Sequence, residues 1–251
     1  MKATKAIVRQ PSKSYTKCVT SHPLGHTVSL KIALKQYKEY CRILKELSLE
    51  LIQLPPKDEF PDACFVEDNA IVFRNKAFIT RMGIESRRGE EHEVEAILTQ
   101  YFNVSKATEP ATIEGGDVVH LPDRMICGIS QRTNKLGVEQ MRNWFNVIVD
   151  TIENPNIVHL KSYMKYLDNN LLITSKEYEN HPLLNNLELL IIPKEEYYSI
   201  NCLSVNDAVI MSDKFSYAQK IVRNAGFEVI SLDMSEFEKC QASLTCLSIL
   251  F

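Results

Sequence analysis

Apolar positions recur at intervals of three and four residues in four stretches of the chain, and this spacing predicts amphipathic helices. The first stretch begins at Ser29, and the others lie around residues 94–101, 138–145 and 218–225. Short apolar or alternating runs lie between these stretches, several of them in pairs separated by a turn, and they predict β-strands. The same order of strands and helix returns several times, which indicates an internal repeat.

Polar side chains stand just ahead of several predicted strands, at intervals of about 45 residues or a multiple of that interval. These positions are Glu67, Glu114, His159 and Cys246, with Leu203 at the corresponding place of another unit. A fixed period of this length is typical of a repeated supersecondary unit, and five units of roughly 50 residues would fill the chain. If the units close into a ring, a propeller, the strand starts would converge on its axis and form a site.

The last predicted strand follows a cysteine, Cys246. Leu247, Ile249, Leu250 and Phe251 need a core, and a chain end is ordered only when it is tied down in this way. Its small, polar neighbours Ser243 and Thr245 indicate that Cys246 lies where the strand leaves the core, a place where a reactive thiol could meet solvent or a ligand. The alternative is a small buried hydrophobic residue, since free cysteine is among the most buried residue types.

Length and composition restrict the class of protein. The 251 residues suffice for one large domain or two small ones, and 45% hydrophobic with 24% charged residues is ordinary for a soluble protein. The net charge of −3 gives no electrostatic signature of nucleic acid or of an anionic membrane. The N-terminus has too short an apolar run for a signal peptide, and no run approaches the ~20 residues of a membrane span.

The seven cysteines are scattered and show neither a CxxC pair nor the spacing of a zinc site. A reducing compartment, in which disulfides are rare, is the simplest account. We therefore expect a cytoplasmic protein without a bound metal.

The converging residues suggest a chemistry. A cysteine and a histidine that are distant in sequence but adjacent in space form a nucleophile and its acid–base partner, here Cys246 and His159. The carboxylates Asp62, Glu67, Asp68 and Glu114 suit a cation, and a planar guanidinium is matched by paired carboxylate hydrogen bonds. Arg87 and Arg132 could hold an α-carboxylate, so the site would accept an arginine-like molecule.

Each of these residues also has a purely structural interpretation. Glu67 and Asp68 could be a solvated strand end, and His159 a satisfied core histidine. Arg87 could belong to the charged start of a helix. The shared period, and no single residue, favours a site.

A polar stretch of residues 12–27 follows the first strand and contains Leu24 beside Gly25. A loop of this length in a compact domain is more often a lid or binding loop than a passive connection. The alternative is a surface turn with two solvated histidines.

With these residues in view, the chain resembles the dimethylarginine dimethylaminohydrolase family of guanidine-modifying enzymes over essentially its whole length. The matching motifs are Phe60-Pro61-Asp62 through Phe65-Val66-Glu67-Asp68, Ile79-Thr80-Arg81, Ser86-Arg87-Arg88, Glu114-Gly115-Gly116-Asp117, Arg132-Thr133-Asn134, Val158-His159-Leu160-Lys161, Ile200-Asn201-Cys202 and Leu244-Thr245-Cys246-Leu247-Ser248. The resemblance implies a single domain over residues 1–251, an α/β fold built as a five-fold pseudosymmetric α/β propeller of ββαβ modules (the pentein fold). It also implies a cytoplasmic dimethylargininase, a hydrolase of arginine metabolism that converts N-methylated L-arginine to L-citrulline and a methylamine.

The resemblance also implies a role for each site residue. The catalytic residues would be Cys246 as nucleophile, His159 as proton donor and Glu114 as the carboxylate that assists the histidine and the guanidinium. The substrate-binding residues would be Glu67 and Asp68 at the guanidinium, Asp62 beside the substrate, Arg87 and Arg132 at its carboxylate, Leu24 in a mobile lid, and the backbone of Cys240. No metal or organic cofactor is implied, the ligand is a small-molecule guanidine, and the protein would be a monomer or a homodimer.

One segment departs from the family pattern. The family commonly has an acidic residue and glycines before the nucleophile, where this chain has Gln241-Ala242-Ser243 after Cys240. The departure bears on substrate identity more than on chemistry. Two alternatives therefore stay open: a deiminase of arginine or a related guanidine in the same superfamily, and a non-catalytic sensor of an arginine derivative. Two arginines suited to an α-carboxylate speak against agmatine, which has none.

Overall fold

A computed structural model describes residues 2–251 of the chain. In chain order its strands and α-helices are β1 (Lys5–Arg9), α1 (Leu30–Glu46), β2 (Glu50–Leu54), β3 (Ala70–Phe73), β4 (Lys76–Ile79), α2 (His92–Leu98), β5 (Asn103–Lys106), β6 (Val118–His120), β7 (Arg124–Ile129), α3 (Lys135–Phe145), β8 (Ile148–Glu153), β9 (Met164–Asp168), β10 (Leu171–Ser175), β11 (Glu188–Ile192), β12 (Leu203–Val205), β13 (Ala208–Ser212), α4 (Ser216–Asn224), β14 (Glu228–Leu232), α5 (Ser235–Lys239) and β15 (Ser248–Leu250). They fall into two compact units, Glu67–Asn201 and the segments Met1–Val66 with Cys202–Phe251. That residues 1–251 form a single domain stays a prediction.

The unit Glu67–Asn201 contains three three-stranded sheets, β3-β4-β5, β6-β7-β8 and β9-β10-β11. In each sheet the first two strands are antiparallel and the third pairs in parallel with the second. A parallel pair needs a crossover, which α2 and α3 supply in the first two sheets. In the third sheet short 3-10 turns replace the helix between β10 and β11.

The helix α3 illustrates how the local sequence determines an element. Asn134 accepts a hydrogen bond from the backbone N–H of Gly137 and caps the N-terminus, and Asn146 ends the helix in the left-handed conformation. Val138, Met141 and Phe145 form its buried face and pack in one apolar cluster with residues of β3, β4, β6 and β7. The predicted helix at 138–145 is therefore confirmed.

The unit Met1–Val66 with Cys202–Phe251 contains the two remaining sheets. One is β12-β13-β14 with α4 as its crossover, and Gly226, at φ +94°, follows the helix as predicted. The other is β15-β1-β2, in which the last strand pairs antiparallel with the first and Ile249 lies opposite Ile7. The chain end is thus tied down as expected, and the fifth module is assembled from both ends of the chain.

The predicted class is confirmed: the chain is α/β, with five ββαβ-like modules. One helix boundary differs from the expectation. The helix predicted to reach Tyr101 ends at Leu98, and Tyr101 lies half exposed beyond it, outside the packed face. Among residues 2–251, no helix combines the length and the apolar character that crossing a membrane requires.

The cysteines differ from the expectation in one respect. Cys18 and Cys240, which are 222 residues apart in sequence, form a disulfide with a Cα–Cα distance of 5.9 Å. The sequence did not predict this pair, because only the fold brings two such distant residues together, and the reducing compartment expected from the scattered cysteines is one in which disulfides are rare. The five other cysteines are free and buried: Cys41, Cys64, Cys127, Cys202 and Cys246.

Candidate active site

Three of the predicted site residues come together in the unit Glu67–Asn201. His159 Nε2 lies 2.7 Å from Glu114 Oε2 and 3.7 Å from Asp68 Oδ1. Each residue lies at or beside a short 3-10 turn that precedes the first strand of a sheet: Asp68 before β3, Glu114 before β6 and His159 before β9. Within this unit, Glu114 and His159, two of the periodic positions, are in contact, and Asp68, which directly follows the periodic Glu67, lies beside them.

Two glycines make this close packing feasible. A Cβ atom on Gly116 would lie 2.6 Å from His159 Nδ1, and one on Gly115 would lie 2.0 Å from the carbonyl oxygen of Glu67. Gly116 also donates its backbone N–H to Asp68 Oδ1 over 3.1 Å. Two adjacent residues without side chains therefore allow the three turns to touch.

The guanidinium of Arg87 is buried among carboxylates. It donates to Asp68 Oδ2 over 2.9 Å and to Glu90 through both Nε and Nη2, and its Nη1 lies 3.8 Å from Glu114 Oε2. Only 7% of Arg87 is exposed, so the residue is not a solvated helix start. Its predicted role at the substrate carboxylate stays a prediction, and three of its five N–H groups are already used within the protein.

Glu90 is a member of this cluster that the sequence did not predict. It is buried and forms an ion pair with Arg87 three residues before it. The Arg-x-x-Glu spacing was visible, but the same spacing is common on exposed helix surfaces. Burial, which only the fold reveals, distinguishes the two cases.

The cluster shifts the pKa values of its members. Burial alone would lower the pKa of His159, but the charge of Asp68 and the hydrogen bond to Glu114 raise it to about 9. Burial alone would raise the pKa of Glu114, but the hydrogen bond and charge of His159, together with Arg87 and Arg132, lower it to about 2. At neutral pH the pair is therefore an imidazolium and a carboxylate.

The ligand atoms of Asp68, Glu114 and His159 lie within 4.8 Å of one another, which is close enough to hold a metal ion. A histidine must be deprotonated to bind a metal, and the raised pKa of His159 opposes this. The carboxylates already accept hydrogen bonds from Arg87 and His159. The arrangement is thus better suited to transferring a proton than to binding a metal.

Glu67 and Arg132 lie at the edges of this cluster. Glu67 accepts a hydrogen bond of 2.5 Å from Lys161, and both side chains are buried. Arg132 lowers the pKa of Glu114 by its charge, yet it forms an ion pair with no carboxylate among residues 2–251. Its Nε atom is buried and has no hydrogen-bond partner among residues 2–251, and its predicted role at a substrate carboxylate stays a prediction.

The remaining predicted residues belong to the other unit. Cys246 lies in the 3-10 turn Thr245–Leu247 directly before β15, where its sulfur accepts the backbone N–H of Ser243 over 3.4 Å. Tyr40 Oη bonds on either side of this turn, to the carbonyl oxygen of Leu244 and to the hydroxyl of Ser248. Cys246 is 7% exposed and lies on a segment held both by strand pairing and by these hydrogen bonds.

Asp62 is buried and accepts the backbone N–H of Val19. Leu24 lies at the tip of the loop and is 51% exposed. Cys240, whose backbone was expected to contact the substrate, has its side chain in the disulfide with Cys18. The roles of these three residues toward a substrate stay predictions.

The departure from the family pattern at Gln241 has a visible structural effect. Its side-chain oxygen accepts the backbone N–H of Ser21 over 2.8 Å and the hydroxyl of the same residue over 3.0 Å. The Thr20 hydroxyl also donates a hydrogen bond to the carbonyl oxygen of Lys239. Thr20 and Ser21 of the loop are therefore hydrogen-bonded to the turn that precedes the Cys246 segment.

Comparison with known proteins agrees with this architecture. A family model described as N,N dimethylarginine dimethylhydrolase, eukaryotic, matches residues 18–247. The N(G),N(G)-dimethylarginine dimethylaminohydrolase of Pseudomonas aeruginosa is 34% identical over 98% of each chain. A structure of the Pseudomonas aeruginosa enzyme, a cysteine-to-serine mutant complexed with citrulline, superposes with a TM-score of 0.96 at 32% identity over the whole of both chains.

A second structure, of a histidine-to-glycine variant of a dimethylarginine dimethylaminohydrolase that carries an adduct with S-methyl-L-thiocitrulline, matches with a TM-score of 0.95 at 33% identity. It covers 99% of this chain and 100% of its own. The match to the family model and the whole-length relatives lead to one conclusion: the chain belongs to the dimethylarginine dimethylaminohydrolase family of hydrolases.

Proposed function

We propose that the protein hydrolyses N-ω-methylated L-arginine, in the form of asymmetric dimethylarginine or monomethylarginine, to L-citrulline and di- or monomethylamine. The observation that carries the proposal is the buried hydrogen bond between His159 and Glu114, with Asp68 beside it. It provides a protonated imidazole together with carboxylates suited to a guanidinium. The citrulline and thiocitrulline bound by related enzymes support the same substrate class.

In the proposed first step the Cys246 thiolate attacks the central guanidinium carbon. The carbon–nitrogen bond to the methylated amine breaks, and His159 gives its proton to the departing amine. A covalent thiouronium remains on the sulfur. Glu114 holds the imidazole through its ring N–H and stabilises the imidazolium before the transfer.

In the second step water attacks the same carbon. His159, now neutral, accepts a proton from that water, and the tetrahedral adduct then loses its hydroxyl proton to solvent as the carbon–sulfur bond breaks and the thiolate departs. Citrulline is released and His159 is again an imidazolium. The proposed reaction uses no metal and no organic cofactor.

The pKa of His159 supports this role. With a pKa of about 9, the imidazole carries a proton at neutral pH and can deliver it to an amine, a poor leaving group unless it is protonated. Asp68 and Glu67 would face the substrate guanidinium. Arg87 and Arg132 would take the substrate α-carboxylate. Arg87 also lies beside three carboxylates of the protein, those of Asp68, Glu90 and Glu114.

The deciding experiment measures citrulline together with dimethylamine and ammonia, across asymmetric dimethylarginine, monomethylarginine, arginine and agmatine. We expect the methylated substrates to be used best and Cys246→Ala to form no citrulline. Cys41→Ala, a change at another buried free cysteine of the same unit, should keep activity. Citrulline formation by Cys246→Ala would refute the mechanism.

The two alternatives give different results in the same assays. Ammonia released from arginine, with the methylated substrates inert, would identify a deiminase. A sensor would bind the guanidines without turnover, and iodoacetamide would then modify Cys246 no faster than the other free cysteines.

Two further features belong to the proposal. We expect a cytoplasmic enzyme, as five free cysteines suggest, although the Cys18–Cys240 disulfide is of a kind that reducing compartments rarely hold. Cell fractionation with trapping of thiols decides the location. We also expect a monomer or a homodimer, which sedimentation equilibrium distinguishes.

A further inference from the structure

Asp117 is a fully buried carboxylate that the proposed mechanism does not use. It ends the 3-10 turn Gly115–Asp117 and has no exposed surface. Its Oδ1 accepts the backbone N–H of Leu160 over 2.9 Å. Its Oδ2 accepts two hydroxyl groups, from Ser130 over 2.6 Å and from Thr133 over 2.7 Å.

Each of these three partners is connected to a residue of the candidate site. Leu160 directly follows His159 in the chain. The Thr133 hydroxyl oxygen accepts the backbone N–H of Glu114 over 3.2 Å, and the Ser130 hydroxyl oxygen accepts that of Arg132 over 3.0 Å.

The direction of these bonds requires an acceptor at residue 117. A hydroxyl has one hydrogen to donate, and in each case the oxygen must face a backbone N–H. Each hydroxyl hydrogen therefore has to point toward Asp117 Oδ2. An oxygen that accepts both hydrogen bonds, such as that of a carboxylate, is needed at this place. An amide nitrogen at the same place would donate and would turn both hydroxyls around.

Burial makes the negative charge of Asp117 energetically unfavourable. Burial raises the pKa of Asp117 to about 6, against the lowering effect of His159 and of its hydrogen bonds, so that the charged form is disfavoured relative to water. A Cβ on Gly128 would lie 2.6 Å from Asp117 Oδ1, which means that the neighbouring strand leaves room for the carboxylate. A buried charge with this set of partners fits a positioning task better than a contribution to stability.

We propose that Asp117 is a positioning residue that sets the backbone of Glu114, Arg132 and His159 through one carboxylate. The proposal rests on the proposed hydrolase function, because it names what aligns that site. Asp117 contacts none of the reacting atoms, and it acts through the two hydroxyls and the Leu160 amide.

The test compares variants that remove one connection at a time. Thr133→Val removes the hydroxyl between Asp117 and Glu114 but keeps both charges, whereas Thr133→Ser restores the hydroxyl. We expect Thr133→Val and Asp117→Asn to lower kcat by about 10- to 100-fold with a smaller change in KM, since misplacement by about 1 Å has effects of this size. Thr133→Ser should stay within about threefold of wild type.

A matched control separates positioning from general loss of a buried hydroxyl. Thr174 is equally buried, lies in the same unit and donates to the carbonyl oxygen of Tyr163 over 3.0 Å. Thr174→Val should lose stability as Thr133→Val does but keep kcat. The second readout is the pKa of His159 from NMR titration, which should fall from about 9 in Thr133→Val because Glu114 moves while no charge is removed.

Two outcomes would overturn the proposal: Thr133→Val with the kcat and the His159 pKa of wild type, or a loss of kcat equally large in Thr174→Val. If Asp117→Asn fails to fold, the Thr133 and Thr174 variants still decide. A wild-type protein that turns over no guanidine would refute the proposed function, and the NMR titration would still test the positioning of His159 by itself.

Discussion

The unit Glu67–Asn201 should be less stable at alkaline pH, because deprotonation of His159 removes its ion pair with Glu114. The pKa of His159 is raised in the folded state, from 6.5 to about 9. A group of this kind contributes stability that is fully present below pH 6.5 and is lost as the pH rises through about 9. Replacement of Glu114 by glutamine removes the charge while keeping the shape.

The magnitude follows from the shift. At about 1.4 kcal/mol per pKa unit, the raised pKa of His159 corresponds to about 3 kcal/mol of stability between pH 6 and pH 10. The His159 side chain is only 14% exposed, so solvent screens this contribution little. Because Asp68 also raises the pKa of His159, we expect Glu114→Gln to remove about 1–2 kcal/mol of the pH-dependent part.

Urea unfolding followed by tryptophan fluorescence measures this effect. The chain has one tryptophan, Trp144, which lies in α3 of the same unit and donates its ring N–H to the carbonyl oxygen of Ala77. The free energy of unfolding is compared at pH 6 and pH 10 for wild type, Glu114→Gln and a control. Glu153→Gln is the control, since it removes an exposed carboxylate of the same unit that pairs with Lys135.

The comparison of the two variants isolates the buried pair from every other group that titrates in this range. We expect Glu153→Gln to lose as much stability between pH 6 and pH 10 as wild type does. An equal loss in Glu114→Gln would refute the assigned coupling between Glu114 and His159.

Two other predictions follow from the described contacts. Gly116→Ala should lower kcat by about 100-fold, because the added methyl group must displace His159 from its position. Steady-state kinetics with the substrate panel measures this change. A kcat within a few fold of wild type would contradict the explanation that a glycine is needed here to leave room for His159. Thiol titration of the denatured protein should find five thiols before reduction and seven after it, and Cys18→Ser should lower the free energy of unfolding by about 2–5 kcal/mol; seven thiols without reduction would contradict the Cys18–Cys240 disulfide.

The internal repeat explains which parts of the fold and of the candidate site could be predicted from the sequence. Equivalent positions of a repeated unit occupy equivalent places in space, so the period alone predicted that Glu114 and His159 would approach each other. The pattern of apolar residues likewise predicted α1, α3 and α4, whose buried faces recur every three to four residues.

What the sequence could not predict depends on contacts rather than on periodicity. Asp117 and Glu90 stand in polar, glycine-rich or charged surroundings that would suit an exposed turn equally well. Their importance comes from burial beside the site, and burial of a charge is visible only once the fold supplies its partners. The sequence also did not predict that an α-helix is absent between β10 and β11, since the short apolar runs there are compatible with an α-helix and with 3-10 turns.

The substitution at Gln241 shows how a departure from a family pattern can be interpreted through backbone conformation. Gln241 adopts φ +56°, a left-handed conformation that glycine enters freely and that other residues enter at about 1 kcal/mol. The glycines that the family commonly has in this segment would satisfy the backbone but could not hold the loop. Here the side chain of Gln241, the residue next to Cys240 of the disulfide, offsets the strain by accepting hydrogen bonds from Ser21. Gln241 therefore helps to anchor the loop that carries Leu24, and we expect any effect of the departure on substrate choice to act through this anchoring.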